Sequence, residues 1–422
     1  MRVTLVKPPE QSRMNFGTFS LAVLASAVTG IASINILDAT CLSIEETIEE
    51  IIKRKPDLIG ITAMGLKSVT PVCALVEAIR KKGFKDQIVI GGHGASMLPK
   101  RILQSGANVV VYGEGELTFR EIIQSGISET IHGIYLLKDG HLLKTTQRGF
   151  IDLDKLKEPA RSLCPSAQSS IFLLETSRGC PHSCSFCETS RFFNCTWRGR
   201  SPHNVVKDIH KLVKDGAMII QIADDNFTAN IKRAKEICRL LTNEPLPLFF
   251  LFSARTDDLT KDPDLIPALA KANFLRATIG VETLVPKIAK SIGKNISLKQ
   301  HIKAFDSMKK AGIFTIASFI VGLPGETENM RKSYVELALK LADSATFLPF
   351  QPFPGTPLAK GVGVPEEWCV KYAARLTQEF NQHPESLKRL TSAAKETTVR
   401  GMLARATLQN RLTKNNLHKL DY

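Results

Sequence analysis

Three closely spaced cysteines are the residues of this chain best suited to chemistry. Cys180, Cys184 and Cys187 lie in RGCPHSCSFCET, residues 178–189, in a CxxxCxxC pattern. Thiolates grouped in this way select zinc or an iron–sulfur cluster. A structural zinc ion needs four ligands, the sequence offers no second cysteine pair, and His182 is too near Cys180 to chelate easily beside it. The pattern therefore favours an iron–sulfur cluster held by three thiolates, with one iron open to a reactant.

Polar residues at the ends of predicted strands form a second group of candidates. In a barrel of parallel strands, the carboxyl ends of the strands build the active-site face. These residues are Asp224, Asp225, Ser253, Arg255 and Glu282. The two aspartates and the arginine have structural alternatives, because aspartate often caps a helix and arginine is common in exposed loops. Gly322 and Pro324, within FIVGLPGET (319–327), also predict a simple strand-to-helix turn capped by Thr327.

Alternating strands and helices position these candidates. Apolar strand patterns in the second half of the chain are separated by amphipathic helices, one of which begins with a capping box of Ser297 and Gln300. Successive strand–helix units predict a partial (β/α)6 barrel of the TIM type. The expected strands are 171–177, 218–224, 248–254, 274–282, 314–324 and 345–353. A short, basic, helical C-terminal region is expected to follow.

The first half of the chain has the same alternation in a shorter form. Continuous Val/Ile runs between amphipathic helices predict a doubly wound parallel sheet of the flavodoxin or Rossmann type, covered on both faces. Its expected strands are 3–7, 33–40, 57–64, 87–96 and 107–116, and Ser43 with Glu46 predicts a capping box. Asp139-Gly140 then predicts a hairpin, and an irregular linker follows. The predicted regions are 1–125, 126–165 (hairpin and linker), 166–355 and 356–422.

Composition places the chain among globular proteins of the reducing cytoplasm. The hydrophobic content is 43%, the charged content is 23%, and nine cysteines in 422 residues do not suggest a disulfide framework. The net charge of +15 favours an anionic partner or substrate, although solvated lysine-rich helix faces explain it equally well. Residues 16–38 have a signal-like apolar run, but they follow a strand and lack the length of a membrane span, so we expect a buried helix.

The cysteine motif, with Phe186 directly before its last cysteine, resembles that of the radical S-adenosylmethionine (SAM) enzymes. The resemblance covers about residues 166–355, where the order of elements agrees. It implies a 4Fe–4S cluster whose open iron is chelated by the amino and carboxylate groups of SAM, and reductive cleavage of SAM to a 5′-deoxyadenosyl radical. It also implies which residues contact SAM. The residues at the matching positions are Phe186, Asp224, Asp225, Ser253, Arg255, Glu282, Gly322 and Pro324.

About residues 1–125 resemble the cobalamin-binding domain of one radical-SAM subgroup, on DLIGITAM, GGHGAS and VVYGEGE. The resemblance implies that cobalamin lies over strand ends at Thr62, Gly91, Gly92 and Gly94, where glycine lets backbone approach a ligand. The loop after the first strand, KPPEQSRMNFG, departs from the pattern because it lacks the Asp-x-His-x-x-Gly of some cobalamin domains. A domain kept for packing or substrate recognition is the alternative.

The expected function is cobalamin-dependent methyl transfer to an unactivated centre of a small-molecule or peptide substrate. A cobalamin-independent radical cyclisation or rearrangement is the first alternative. A non-catalytic iron–sulfur or SAM-binding scaffold or maturation protein is the second. A reductant such as flavodoxin or ferredoxin is the expected partner. Nucleic-acid binding by the C-terminal helices is not favoured, because their basic residues are not interleaved with aromatic ones.

Overall fold

The computed structural model describes residues 1–9, 16–164, 171–359 and 366–415. The chain divides into two compact units, which are chiefly Met1–Ser169 and Ser170–Pro352 together with the C-terminal helices. The predicted boundary at residue 165 falls in 165–170, outside the described residues.

A seven-stranded sheet forms the first unit, in the order β2-β1-β3-β4-β5-β6-β7. Strands β1 to β5 are parallel, whereas β6 and β7 are antiparallel additions at one edge. The β6–β7 turn has positive φ at both Asp139 and Gly140, which confirms the predicted hairpin. The strands are β1 (Arg2–Lys7), β2 (Ser33–Asp38), β3 (Leu58–Thr62), β4 (Gln87–Gly91), β5 (Val109–Val111), β6 (Ile134–Lys138) and β7 (His141–Lys144).

Helices cover both faces of this sheet, as the continuous apolar strands predict. In β4, Ile88 and Ile90 belong to one buried cluster, while Val89 between them belongs to another on the opposite face. The predicted capping box of Ser43 and Glu46 is present and begins α2. The helices are α1 (Phe16–Ala27), α2 (Ile44–Lys53), α3 (Leu66–Lys81), α4 (His93–Met97), α5 (Pro99–Gln104) and α6 (Glu116–Ser125).

The second unit is built on a six-stranded, fully parallel sheet, in the order β8-β11-β12-β13-β14-β15. This arrangement confirms the predicted partial barrel. A separate antiparallel ribbon, β9–β10, leads to the cysteines. The strands are β8 (Ile171–Leu174), β9 (Ser177–Gly179), β10 (Trp197–Gly199), β11 (Ile219–Ile222), β12 (Phe249–Arg255), β13 (Phe274–Glu282), β14 (Phe314–Val321) and β15 (Ser344–Pro349).

Most helices of the second unit pack against one face of its sheet, whereas the last two pack against the other face at Phe314 and Ile316. The predicted capping box of Ser297 and Gln300 begins α13, and Thr327 caps α14 as expected. The helices are α7 (Glu188–Phe192), α8 (Pro202–Lys214), α9 (Ile231–Asn243), α10 (Thr256–Lys261), α11 (Leu265–Lys271), α12 (Pro286–Ser291), α13 (Leu298–Lys310), α14 (Glu328–Lys332), α15 (Tyr334–Leu341), α16 (Glu367–Gln382), α17 (Pro384–Ala394) and α18 (Val399–Asn415).

The two faces of the barrel sheet differ in burial. In β13, Ala277, Ile279 and Val281 lie in the buried core under the helices, whereas Thr278 and Gly280 between them are only half-buried. The opposite face is therefore less buried toward the carboxyl ends of the strands, whereas at their other end Phe314 and Ile316 pack against α17 and α18. We call it the inner face; its half-buried polar and small residues are Gln221, Ser253, Arg276, Thr278, Gly280 and Ser318.

The C-terminal helices are part of the second unit. Ala373, Leu376 and Phe380 of α16 lie in the same core cluster as the barrel strands. Arg400 of α18 forms a 2.7 Å salt bridge with Asp343, which is itself buried. Basic residues of this region therefore dock helices onto the barrel. Among the described residues, no helix is long and apolar enough to cross a membrane.

Several predicted strands are too long at their carboxyl ends. The strand predicted for 171–177 ends at Leu174, because the N–H groups of Thr176 and Ser177 donate to Asp224 and not to the barrel sheet. The strand predicted for 87–96 ends at Gly91, and α4 follows Gly92. The strand predicted for 107–116 is only Val109–Val111.

Candidate active site

The three cysteines lie on the loop between β9 and α7. Cys184 is buried, and Cys180 and Cys187 are half-buried. The Ser185 N–H donates to the Ile292 carbonyl at 3.0 Å, which ties the loop to the end of α12. Burial raises the pKa of the Cys180 thiol to about 11. A metal ion therefore has to displace the proton, as iron–sulfur ligation does.

Arg255, at the end of β12, lies against the cysteine loop. Its Nη1 donates to the Cys184 Sγ at 3.2 Å, and its Nε and Nη2 both bond the Asp257 carboxylate at 3.0 Å. Burial opposes the charge of Asp257, but the hydrogen bonds from Arg255 outweigh it and lower the pKa of this carboxyl. The pair places a guanidinium beside the Cys184 sulfur, where it can stabilise an anionic cluster or a bound carboxylate.

His182, between the first two cysteines, is directed at a carboxylate. Its Nε2 lies 3.6 Å from the Asp258 Oδ2, and the same oxygen accepts a 2.8 Å hydrogen bond from Asn226. Burial raises the pKa of Asp258, but hydrogen bonds from His182, Lys261 and Asn226 outweigh it and lower that pKa to about 2. These partners give the imidazole a role in anchoring the loop, consistent with three protein ligands instead of four.

The adjacent residues Asp224 and Asp225 have different surroundings. Asp224 is 4% exposed and accepts four hydrogen bonds, from the backbone N–H and the hydroxyl of both Thr176 and Ser177, at 2.5–3.0 Å. Asp225 is exposed and accepts bonds from the Gly179 N–H at 3.2 Å and the Thr189 hydroxyl at 3.0 Å. Asp224 therefore stabilises the chain at Thr176 and Ser177 inside the protein, whereas Asp225 is accessible beside the cysteine loop.

Glu282, the last residue of β13, is held by a lysine that the sequence pattern did not single out. Its Oε1 lies 2.8 Å from the Lys294 Nζ, and both side chains are almost fully buried. Glu282 has a positive φ of 64°, which is rare for a residue with a side chain. A Cβ on Gly280 would lie 2.3 Å from this carboxylate and 2.6 Å from the lysine, so a side chain there would displace the ion pair from its present position.

Four further candidates lie near the carboxyl ends of the barrel strands, namely Ser253, Gly322, Pro324 and Phe186. Ser253 lies on the inner face. The Gly322 N–H donates to the Glu326 Oε2 at 2.6 Å, and a Cβ on Gly322 would lie 2.2 Å from the Cys369 Sγ. Pro324 follows in the same turn, and Phe186 packs against the apolar cluster that includes Leu323. Glycine at 322 is therefore required by packing as well as by its φ of +94°.

In the first unit, the predicted cobalamin residues lie at the carboxyl edge of the sheet. Thr62 and Gly91 end the neighbouring strands β3 and β4. A Cβ on Gly92 would lie 2.5 Å from the Ala63 carbonyl oxygen, and one on Gly94 would lie 2.2 Å from that of Gly65. Packing of one loop against the other therefore explains these two glycines without any ligand.

The same edge has open backbone at two other glycines. Among the residues that the structure describes, no atom lies within 4 Å of a Cβ built on Gly65 or Gly113, and Gly65 begins α3 without a side-chain cap. Open backbone at the carboxyl ends of parallel strands, with a free helix N-terminus, fits a group such as cobalamin that carries a phosphate. Three soft thiols beside an arginine likewise fit an iron–sulfur cluster.

Comparison with known proteins agrees with both domains. The profile of the radical SAM superfamily matches residues 174–338, and that of the B12 binding domain matches residues 12–123. The chain is 31% identical to the uncharacterized methyltransferase PH0819 of Pyrococcus horikoshii, over 85% of this chain and 82% of that protein. It is 29% identical to the anaerobic magnesium-protoporphyrin IX monomethyl ester cyclase of Rubrivivax gelatinosus, over 76% of this chain but only 61% of the cyclase.

Solved structures share the fold at lower identity. The radical SAM methyltransferase TsrM from Kitasatospora setae, with cobalamin and a [4Fe-4S] cluster bound, has a TM-score of 0.71 at 19% identity, over 85% of this chain and 73% of that one. The cobalamin-dependent radical enzyme OxsB, with aqua-cobalamin and SAM bound, has a TM-score of 0.68 at 20% identity, over 90% of this chain and 56% of that one.

A parallel partial barrel with a CxxxCxxC loop at the carboxyl end of its strands defines a radical SAM protein. The chain belongs to the radical SAM superfamily and carries an N-terminal B12-binding domain. It is an enzyme of the cobalamin-binding branch, and its cofactors are a 4Fe–4S cluster, SAM and cobalamin. The resemblance read from the sequence is confirmed, including cobalamin despite the missing histidine motif.

Proposed function

We propose that this enzyme transfers a methyl group to an unactivated centre of an acceptor substrate. The observation that carries the proposal is the cysteine loop with Arg255 at Cys184, in a chain that also has a B12-binding domain. The relative PH0819 is named as a methyltransferase, and TsrM is a radical SAM methyltransferase. When bound, the cluster and SAM supply a 5′-deoxyadenosyl radical, and cobalamin supplies the methyl group.

The residues of the barrel bind and orient in this proposal. Cys180, Cys184 and Cys187 hold the cluster, and Arg255 stabilises its negative charge and attracts the carboxylate of SAM. Exposed Asp225 accepts from the amino group of SAM, whereas Asp224 fixes the strand end that carries the loop.

The remaining sequence candidates complete the SAM site. Glu282 bonds the ribose and is oriented for this by Lys294, and Ser253 supplies a hydroxyl on the inner face. Gly322 and Pro324 present backbone to the adenine, and Phe186 gives that end of the site an apolar wall. Hydrogen bonds to charged ligand groups contribute about 1.5–3 kcal/mol each, so several are needed to fix SAM against the cluster.

In the first unit we propose that cobalamin lies at the carboxyl edge beside Thr62 and Gly91. The open positions at Gly65 and Gly113 support this placement. Gly92 and Gly94 act indirectly, because they let the loops after β3 and β4 pack together and so shape the edge.

Anaerobic reconstitution followed by reduction with dithionite tests the proposal. The full-length protein is expected to convert SAM to 5′-deoxyadenosine, and Cys184→Ala is expected to abolish this conversion. S-adenosylhomocysteine is expected to form as well, since it is what remains of SAM after its methyl group is donated. A cobalt assay and the visible spectrum of the same sample measure bound cobalamin. If 5′-deoxyadenosine does not form, the proposal of radical methyl transfer fails and a non-catalytic scaffold role is favoured instead.

A radical cyclisation is the second candidate, because three relatives are anaerobic magnesium-protoporphyrin IX monomethyl ester cyclases. Formation of 5′-deoxyadenosine without S-adenosylhomocysteine would favour it over methyl transfer.

The proposal also includes a flavodoxin or ferredoxin as the electron donor and the cytoplasm as the compartment. All nine cysteines lie among the described residues and none forms a disulfide, which supports a reducing environment. Reduction of the cluster by flavodoxin in place of dithionite tests the donor.

A further inference from the structure

A β-bulge in β13 turns an arginine onto the inner face of the barrel. Phe250 pairs with Phe274, but the next pair is Leu251 with Arg276, so Leu275 is an extra residue in the ladder. Phe274 lies in the buried core under the helices, as does Ala277 on the other side of Arg276. Without the bulge, Arg276 would share the face of Phe274; with it, Arg276 lies on the inner face, beside Phe314 where α17 and α18 close that face.

The neighbour that meets this guanidinium is neutral. The Arg276 Nη2 donates to the Gln221 Oε1 at 2.9 Å, and the Gln221 Nε2 donates to the Ile222 carbonyl at 2.9 Å. Ile220 and Ile222 lie in the core under the helices, so Gln221 between them also belongs to the inner face. Two inner-face side chains, from β11 and β13, therefore reach each other across β12.

Arg276 has no anionic partner among the described residues. It forms no salt bridge there, and its Nε is buried without a hydrogen-bond partner. Burial lowers the pKa of Arg276, and no carboxylate opposes this effect. Other arginines of the same unit, such as Arg255 and Arg400, are paired with aspartate. A half-buried guanidinium with unused donors is costly for the folded state unless something else binds it.

We propose that Arg276 and Gln221 form a binding subsite for an anionic group, a carboxylate or a phosphate, of the substrate. A guanidinium offers parallel N–H donors that match the oxygens of either anion, and the amide of Gln221 holds it in place. The hydroxyls of Ser253, Thr278 and Ser318 line the inner face between this subsite and the end that carries the cysteine loop. This inference rests on the proposed function and specifies its substrate as an acid.

The position of Arg276 also sets the length of that substrate. Arg276 lies six residues before Glu282 in β13, which at the rise of a strand is about 20 Å. Even with the reach of the arginine side chain, the anionic group and the reacting centre are separated by a distance on the order of 10 Å. The substrate is therefore an extended acid and not a compact one.

Thermal unfolding of the anaerobically reconstituted full-length protein tests the subsite, with inorganic phosphate and acetate as probes. At a concentration ten times its dissociation constant, the preferred anion should raise the unfolding temperature of the second unit by about 2–4 °C. Arg276→Met should abolish this shift, and Arg276→Lys should retain part of it. A larger shift with phosphate identifies a phosphate site, and a larger shift with acetate identifies a carboxylate site.

Arg239→Met is the matched control, because Arg239 is an exposed arginine of α9 paired with Glu236. It should keep the full shift. Without added anion, Arg276→Met should unfold at the same temperature as the wild type or higher, since it removes a charge that has no carboxylate partner. An unchanged anion shift in Arg276→Met, or an unfolding temperature several degrees lower without anion, would show that Arg276 braces the fold and would overturn the proposal.

The same samples separate this inference from the proposed function. Cleavage of SAM by the wild-type protein reports on radical chemistry and does not depend on the anion probes. Loss of SAM cleavage with an intact anion shift rejects the enzyme proposal alone, whereas cleavage without any anion shift rejects the subsite alone.

Discussion

Replacement of Asp224 by alanine should destabilise the second unit, although the sequence alone presents this residue as a ligand candidate. Asp224 accepts two backbone N–H groups and two hydroxyls at the end of β11. Hydroxyls can rotate to new acceptors, but the amides of Thr176 and Ser177 cannot. Each buried donor left without an acceptor costs about 1–3 kcal/mol, so the two amides predict a loss of about 2–6 kcal/mol in the free energy of unfolding.

Urea denaturation followed by tryptophan fluorescence measures this loss in the appropriate unit. The chain has two tryptophans, Trp197 on β10 and Trp368 on α16, and both lie in the second unit. Asp224→Asn should lose less than Asp224→Ala, because its amide oxygen can still accept both backbone N–H groups and its NH2 can donate to the rotated hydroxyls.

Asp225→Ala is the control at the adjacent position. Asp225 is exposed, so its loss should change the free energy of unfolding by less than about 1 kcal/mol. It should weaken SAM binding to the reconstituted protein by at least about tenfold, because it removes a hydrogen bond to a charged group. Equilibrium dialysis with labelled SAM measures this affinity. If Asp224→Ala instead folds with wild-type stability and loses SAM, while Asp225→Ala binds SAM normally, our assignment of the two residues is reversed.

Three further predictions follow from individual contacts. His182→Ala should retain the iron content of the reconstituted wild type, whereas Cys184→Ala should lose it; equal losses would make the histidine a ligand. Gly322→Ala should cost about 1–3 kcal/mol in urea because its Cβ meets the Cys369 Sγ, and Cys369→Ala in the same chain should recover part of that. Burial lowers the pKa of His301 from 6.5 to about 4. The unfolded state then binds more protons between these values, so stability should fall by about 3 kcal/mol as the pH drops from 6.5 to 4, and His301→Gln should remove this loss.

The features that local sequence specifies were predicted well. The capping boxes at Ser43 and Ser297 and the Asp139-Gly140 hairpin are present because a few neighbouring residues satisfy their own hydrogen bonds. Apolar strand patterns specified the parallel strands of both units, and in the first unit the runs are continuous because helices cover both faces of its sheet. The spacing of Cys180, Cys184 and Cys187 was enough to indicate the superfamily.

The distinctions within the site depended on contacts between distant residues. Sequence treats Asp224 and Asp225 alike, yet Asp224 is buried because Thr176 and Ser177 bond it, and Asp225 is exposed. Lys294 reaches Glu282 only through the fold, and no spacing rule connects them. The anion subsite depends on a single extra residue at Leu275, which reverses the direction of Arg276. The sequence by itself thus determined most of the elements and indicated the candidate cluster ligands, which depend on short-range pattern, while the tertiary structure decided which polar groups are satisfied inside the protein and which remain available to a ligand.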